Sequence, residues 1–314
     1  MKPPRIPSLA DIAAGGKRGI ASALALIETA RGTAELAALL DEAVAHPRAH
    51  VTGLTGPPGV GKSTLTSALL RIWRDAGERV AIIAVDPSSR VTGGALLGDR
   101  ARIVSDHKDR DVFIRSMAAR DRLGGLSDEA IAAVAMLRAL YDHVLVETVG
   151  IGQSEADIVL VADTVVLCIQ PASGDSLQFM KAGVMELPDV IAVTKADLGA
   201  AAIRAQSEAQ GALTLFTGET GGWRPPVVLV SAPRGEGLSQ LIAAIASHHA
   251  DLAAGGRLLS RRALQHEMWV EETVRGRFGT AGLLAARQLN SKGGPFARER
   301  AIATELKRRL GVGE

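Results

Sequence analysis

The first 48 residues repeat their apolar positions at helical spacing. Ile20, Leu24 and Ile27 fall at i, i+4 and i+7, and Leu36, Leu40 and Ala43 repeat the stripe. Thr33, after the break at Gly32, has the chemistry of an N-cap for the second of these helices. From residue 49 to 251 the pattern changes to short β-branched runs separated by helical stretches. The predicted strands are Val51–Leu54, Val80–Val85, Val112–Arg115, His143–Val146, Val165–Ile169, Val190–Val193 and Val227–Val230. Most are continuous apolar runs, as in parallel strands covered on both faces. Helices between such strands imply right-handed βαβ crossovers, so the expectation is an α/β fold with a doubly wound, mostly parallel sheet. Residues 252–314 read as helical again, with breaks near Gly276–Gly282 and Gly293–Pro295 and a short stripe at Ile302, Leu306 and Leu310. That segment is too small for a core of its own, so it is expected to dock on the core or to pair with a second copy.

Ligands of doubly wound sheets bind beyond the carboxyl ends of the strands, and the motifs lie there. Gly56-Pro-Pro-Gly-Val-Gly-Lys62-Ser63 follows a strand and opens a helix, which is the P-loop pattern G-x-x-x-x-G-K-[ST]. Its glycines let successive N–H groups, from Gly59, Val60, Gly61 and on to Thr64, face phosphate oxygens at a helix N-terminus. Lys62 supplies a point charge for the β- and γ-phosphates, and the Ser63 hydroxyl a ligand for Mg²⁺. A second lysine, found at the Pro57 position of some dimeric ATPases, is missing.

Thr194-Lys195-Ala-Asp197 ends another strand and fits the guanine-reading pattern [NT]-K-x-D. Asp197 would accept from guanine N1–H and the N2 amine. Adenine lacks both donors and would leave the buried carboxylate unpaired. The Lys195 stem covers a face of the base, and Ser231-Ala232, after the last strand, matches the backbone reader of guanine O6. Between these lies Glu147-Thr-Val-Gly150, spaced as [DE]-x-x-G: Glu147 would hold Mg²⁺ through water and the Gly150 amide would sense the γ-phosphate. Asp86 and Asp99 are further acids for the metal or the attacking water, with an ordinary turn carboxylate the alternative reading of Asp86. The order of phosphate loop, metal acid, base reader and Ser-Ala is that of GTPases. Gln153 does not directly follow the glycine of its motif, so no water-positioning group is assigned.

Composition and charge add constraints. The net charge of +2 gives no reason to expect nucleic acid, although 252–314 carries 12 Lys and Arg against 6 Asp and Glu. That excess fits either a solvated helix face or contact with an acidic surface. The single cysteine, Cys168, sits in a strand pattern and reads as a core thiol, so no disulfide is expected. His248 and His249 are adjacent on a helix, about 100° apart, and cannot readily share a metal. Trp73, Trp223 and Trp269 read as packing residues. No apolar run reaches membrane-spanning length, and the first 19 residues lack the apolar stretch of a signal peptide, so the expectation is a cytoplasmic protein with no membrane contact.

Over about residues 45–250 the sequence resembles the MeaB/ArgK GTPases, G-protein chaperones of adenosylcobalamin-dependent acyl-CoA mutases. The resemblance rests on Thr52–Thr64, Val85-Asp-Pro-Ser-Ser89, Thr92–Arg102, Phe113–Ala119, Leu123-Gly-Gly125, Glu147–Glu155, Gln170–Asp175, Lys181 and Lys195-Ala-Asp197. It implies a GTPase core at 49–251, a helical extension at 1–48 and a dimerisation arm at 252–314 that makes a homodimer. It implies GTP and GDP with Mg²⁺ as ligands, and Asp86, Asp99 and Glu147 acting around the metal. Gln170–Gly183 would be a further switch loop, with Lys181 its leading residue, answering to a methylmalonyl-CoA mutase type of partner whose cofactor loading is gated by GTP hydrolysis. Thr194 departs from the Asn usual there; its hydroxyl is expected still to tie this loop to the P-loop. A metallochaperone GTPase would need a Cys/His motif that the sequence lacks, a small-molecule kinase has no use for the base reader, and an RNA- or ribosome-linked GTPase would draw on the basic tail.

Overall fold

The computed structural model describes residues 6–86, 103, 108–119, 126–148, 157–171, 188–216, 222–289 and 291–311. They form two compact units, each built differently.

The first unit is helical and discontinuous in sequence, drawing on the chain up to Ala49, on Asp128–Leu140 and on the chain from Ser260. It contains α1 (Leu9–Ala14), α2 (Gly16–Thr29), α3 (Ala34–Ala45), α5 (Asp128–Leu140), most of α8 (Arg257–Ala286) and α9 (Pro295–Leu310). The predicted stripe Ile20, Leu24 and Ile27 is buried, as are Leu36, Leu40 and Ala43. Thr33 does cap α3, accepting from the Leu36 amide at 3.3 Å. Ser8 and Asp11 form a reciprocal capping box on α1. α5 is apolar nearly all round, with every residue from Ala130 to Arg138 buried, and it packs on α2 and α3. Asp128, at its start, accepts from Trp269 Nε1 (3.2 Å), Thr273 Oγ1 (3.0 Å), Arg277 (3.2 Å) and Arg31, and so ties α5 to α8 and to the turn between α2 and α3. Asp41 of α3 caps α9 by accepting from the Phe296 and Ala297 amides at 2.9 and 3.0 Å, a carboxylate at the positive end of a helix. α8 kinks at Gly279.

The second unit is a seven-stranded sheet with helices. Its strands are β1 (His50–Thr55), β2 (Val80–Asp86), β3 (Val112–Ala118), β4 (His143–Glu147), β5 (Thr164–Ile169), β6 (Val190–Val193) and β7 (Val227–Leu229). All pairings are parallel, in the order β3-β2-β4-β1-β5-β6-β7. The seven predicted runs are therefore the seven strands, and the sheet is wholly parallel. α4 (Lys62–Asp75) and α7 (Leu238–Ala254) cover one face, where Leu54, Leu69, Leu145, Val166, Cys168 and Leu241 meet. α6 (Ala200–Phe216) covers the other face near β5–β7, packing on Leu167, Ile169, Ile191 and Val193. Residues 166 to 169 alternate between the two cores, which is why β5 is apolar without a break. Cys168 is fully buried and its thiol is pushed up to about 12 by burial, consistent with an inert core residue.

The chain leaves β1 toward β2 on one side and later returns to β5 on the other. The order thus reverses beside β1, opening the crevice in which such sheets bind ligands.

Candidate nucleotide site

The phosphate loop runs from the end of β1 into α4. Gly56 has φ +135°, and a Cβ there would stand 2.2 Å from the carbonyl oxygen of Cys168 on β5. Only glycine fits both the conformation and the space. Gly61, at φ +103°, caps α4 from the left-handed region, so the chain turns directly from the loop into the helix N-terminus. Lys62 is 7% exposed, and its ammonium donates to Gly56 O (2.6 Å) and Pro57 O (3.1 Å). The cation is thereby held against the loop that is to receive phosphate.

β1 and β4 are neighbours in register, with Leu54 opposite Glu147. That pairing brings the carboxylate to α4. Ser63 Oγ donates to Glu147 Oε1 at 2.7 Å, and Thr66 Oγ1 donates to Oε2 at 2.8 Å. Glu147 is 2% exposed, so the two hydroxyls help to satisfy a charge that burial would otherwise penalise heavily. The following residue, Thr148, donates to Thr55 Oγ1 at 3.2 Å, and its amide donates to Leu54 O at 3.1 Å. β4 is thus fixed to β1 just where the motif acid emerges.

On the other side of β1, Thr194 directly follows β6. Its hydroxyl donates toward Val60 O in the phosphate loop (2.7 Å) and Ile169 O (3.0 Å). The tie expected of Thr194 is present, made by a hydroxyl. Lys195 adopts φ +54°, uncommon for a side chain with a Cβ, and its ammonium donates to Gln170 Oε1. Ser231 Oγ donates to Asp197 Oδ1 at 2.8 Å, and the Ala196 amide donates to Val230 O at 3.1 Å. That Ser231 bond, first among the causes, holds the Asp197 carboxyl below the usual range. Asp197 was expected as a buried carboxylate; it is exposed. Ser231 is buried and precedes a 3₁₀ turn over Ala232–Arg234.

The structure therefore brings together Gly59, Val60, Gly61, Lys62, Ser63, Thr64 and Glu147 around the end of β1, and Thr194, Lys195, Asp197, Ser231 and Ala232 around the ends of β6 and β7. Asp86 is the last residue of β2. Asp99, Gly150, Lys181 and the rest of Gln170–Gly183 beyond Pro171 lie outside the described residues. The sequence reading passed over Thr66 and Thr148. Thr66 was open to detection, because it lies one helical turn beyond Ser63 on the same face of α4.

A second constellation invites a catalytic reading and does not sustain one. Asp189 Oδ1 lies 3.2 Å from His248 Nε2, His248 Nδ1 lies 2.8 Å from Thr164 Oγ1, and Thr164 Oγ1 lies 2.9 Å from His50 Nε2. Carboxylate, imidazole and hydroxyl stand in line as in a nucleophilic triad. Thr164 and His248 are buried, however, at 0% and 1% exposure, and the chain sits at the amino ends of the strands, away from the phosphate loop. Substrate cannot reach the hydroxyl. His249 stacks on His50 at 4.3 Å, so the two adjacent histidines serve different partners. The tryptophans pack: Trp73 on His143, Trp223 on His248 and Trp269 on Phe296.

Comparison with known proteins fits this geometry. Residues 20–283 match the sequence model of the methylmalonyl-CoA mutase-associated GTPase MeaB. The chain belongs to the MeaB family. A GTPase-named protein of Pyrococcus horikoshii is 42% identical over 83% of this chain and 83% of its own length. The mouse mitochondrial methylmalonic aciduria type A homolog is 37% identical over 73% of this chain and 57% of its own. Among solved structures, one titled LAO/AO transport system kinase aligns over 96% of both chains, with a TM-score of 0.68 and 26% identity. As a member of the MeaB family the chain is a P-loop GTPase: it binds guanine nucleotide and hydrolyses GTP. Among the described residues, no helix is long and apolar enough to cross a membrane.

Proposed function

We propose that this MeaB-family GTPase is a cytoplasmic G-protein chaperone, gating cofactor loading and protecting or reactivating an adenosylcobalamin-dependent acyl-CoA mutase of the methylmalonyl-CoA type. The family match over residues 20–283 carries this reading, and the name of the mouse relative supports it. In this reading residues 49–251 carry the nucleotide chemistry, 1–48 are a helical extension and 252–314 a dimerisation arm.

The donor set at α4 suits Mg²⁺. Ser63 Oγ and Glu147 Oε1 are hard oxygen donors 2.7 Å apart at the phosphate loop, one neutral and one anionic. Ser63 would hold the ion directly, Glu147 through water, with Asp86 and Asp99 as further acids, and the ion would neutralise charge on the β- and γ-phosphates. Lys62 exchanges its two loop carbonyls for phosphate oxygens, and the Gly59–Thr64 amides bind the phosphate chain. Asp197 accepts from guanine N1–H and N2, its other oxygen held by Ser231, while Lys195 covers the base and the Ala232 backbone reads O6. The Gly150 amide senses the γ-phosphate. Lys181, on the Gln170–Gly183 loop, is assigned to answer the mutase.

Four large apolar side chains on the C-terminal helices are exposed: Leu259, Leu264, Leu284 and Leu310. Their exposure supports a homodimer through this arm. Leu259→Glu with Leu284→Glu in the full chain should give a monomer by light scattering that still binds GDP; an unchanged particle mass counts against the arm.

The mutase role is tested by adding an adenosylcobalamin-dependent methylmalonyl-CoA mutase to the GTPase. Turnover of GTP should rise at least roughly tenfold, a small part of what a supplied catalytic group gives. Lys181→Ala should remove most of that rise. Absence of both binding and stimulation refutes the mutase reading while leaving the GTPase intact.

A further inference from the structure

Thr66 is unusual among the residues near the phosphate loop. It belongs to none of the nucleotide motifs, it is 0% exposed, and its hydroxyl is spent on the motif acid. A threonine inside a helix ordinarily turns its hydroxyl back to the carbonyl four residues earlier. Here that carbonyl is Lys62 O, yet Thr66 Oγ1 donates across to Glu147 Oε2 at 2.8 Å. One turn earlier on the same face, Ser63 Oγ donates to the other oxygen, Oε1, at 2.7 Å. The carboxylate is therefore gripped at both ends by one face of α4. A Glu side chain has three rotatable bonds, and a bond to Ser63 alone leaves the plane of the carboxylate free to turn about the Oε1 contact. The second bond removes that freedom.

We infer that Thr66 is a positioning residue for the Mg²⁺ site: its hydroxyl fixes the orientation of Glu147, so that Oε1 stays directed at Ser63 when Ser63 takes the metal. The inference rests on the Mg²⁺ reading of Ser63 and Glu147 given above. The reason to expect a sizeable effect is general. Ser63 takes the metal through a lone pair of Oγ and keeps its proton, so Oε1 has to stay in line to accept it, and the Thr66 bond to Oε2 holds the carboxylate in that line. Partners that orient metal-binding groups without touching the metal change metal affinity by about 10–100-fold when removed. Thr66 touches neither phosphate nor base in this arrangement, so its effect should appear in the metal dependence and not in nucleotide binding as such.

The test uses the full chain with Thr66→Val, which keeps shape and loses the hydroxyl, and Thr66→Ser, which keeps the hydroxyl. Affinity for a non-hydrolysable GTP analogue is measured by calorimetry across a Mg²⁺ titration and in EDTA. For Thr66→Val the Mg²⁺ concentration giving half of the affinity gain should rise about tenfold, the low end of that range. Affinity in EDTA should stay within about threefold of the parent, and Thr66→Ser should restore the parent Mg²⁺ dependence. An unchanged Mg²⁺ midpoint in Thr66→Val overturns the inference, as does an equal loss with and without Mg²⁺, which marks general damage to the loop. A parent protein whose affinity ignores Mg²⁺ overturns the metal reading itself and the role of Thr66 with it, and this shows before any substitution is made.

Discussion

Thr194 stands where the resemblance to MeaB/ArgK GTPases leads one to expect Asn, and the structure shows what its hydroxyl does. Thr194→Val removes that hydroxyl while keeping the branched shape. The side chain is 6% exposed, and its proton is directed at two backbone carbonyls, Val60 O at 2.7 Å and Ile169 O at 3.0 Å. A typical intramolecular hydrogen bond contributes about 1 kcal/mol net, and a buried acceptor left without its donor costs about 1–3 kcal/mol. Both acceptors compete for one proton, so the effects do not add, and about 1–2 kcal/mol is the expected loss. At roughly 2–4 °C per kcal/mol for a domain of this size, the melting temperature should fall by about 2–8 °C. The same bond joins Val60 in the phosphate loop to the segment carrying Asp197. Whatever share of the loss falls on the bound state appears as weaker GDP affinity, up to roughly 5–30-fold if all of it does. Differential scanning calorimetry and GDP titration measure the two parts, with Thr194→Asn and Thr194→Ser as controls that retain a donor. If Thr194→Val melts within about 1 °C of the parent and binds GDP equally well, the tie contributes nothing and the reasoning fails.

Gly56→Ala places a methyl 2.2 Å from Cys168 O at φ +135°, a backbone clash that no side-chain movement relieves. Overpacking and backbone strain each cost about 1–3 kcal/mol, so calorimetry should show GDP binding lost or a clear drop in melting temperature, and a variant equal to the parent would contradict the geometry. His50 is pulled down to about 3, chiefly by burial and further by His249, His143 and His248, with Asp163 opposing. Unfolding returns it to about 6.5, so the unfolded chain takes the proton first and stability falls as pH drops from about 6.5 toward 3. Urea melts at pH 7 and pH 5 should show the parent losing about 2 kcal/mol more than His50→Gln, from at most ~1.4 kcal/mol per pH unit; equal losses would rule out His50 as the acid-sensitive group. Asp128→Ala removes the acceptor shared by Trp269, Thr273, Arg277 and Arg31. Chemical denaturation should reveal a loss of about 2 kcal/mol or more, discounted for the partly exposed arginines, and a change below about 0.5 kcal/mol would show the cluster to be ornamental.

Sequence by itself determined the strands of the sheet, because a strand covered on both faces must be apolar without interruption, and Val190–Val193 or Val165–Ile169 admits few other readings. It marked the phosphate loop and a candidate base reader for a related reason. Phosphate and guanine each dictate a local set of glycines, hydroxyls and carboxylates within a few residues, and those sets survive as motifs. Contacts between distant segments were decided only by the tertiary structure. Parallel pairing of β1 with β4 set Glu147 against α4, over 80 residues from Ser63 and Thr66, and no spacing rule spans that separation. In the same way α5, an apolar helix like any other in the sequence, joins the terminal helices because Asp128 finds partners on α8 and on the turn between α2 and α3. The line of Asp189, His248, Thr164 and His50 shows the converse. Residue chemistry alone would admit it as a triad, and burial at the amino ends of the strands, a property of the folded sheet, makes it structural.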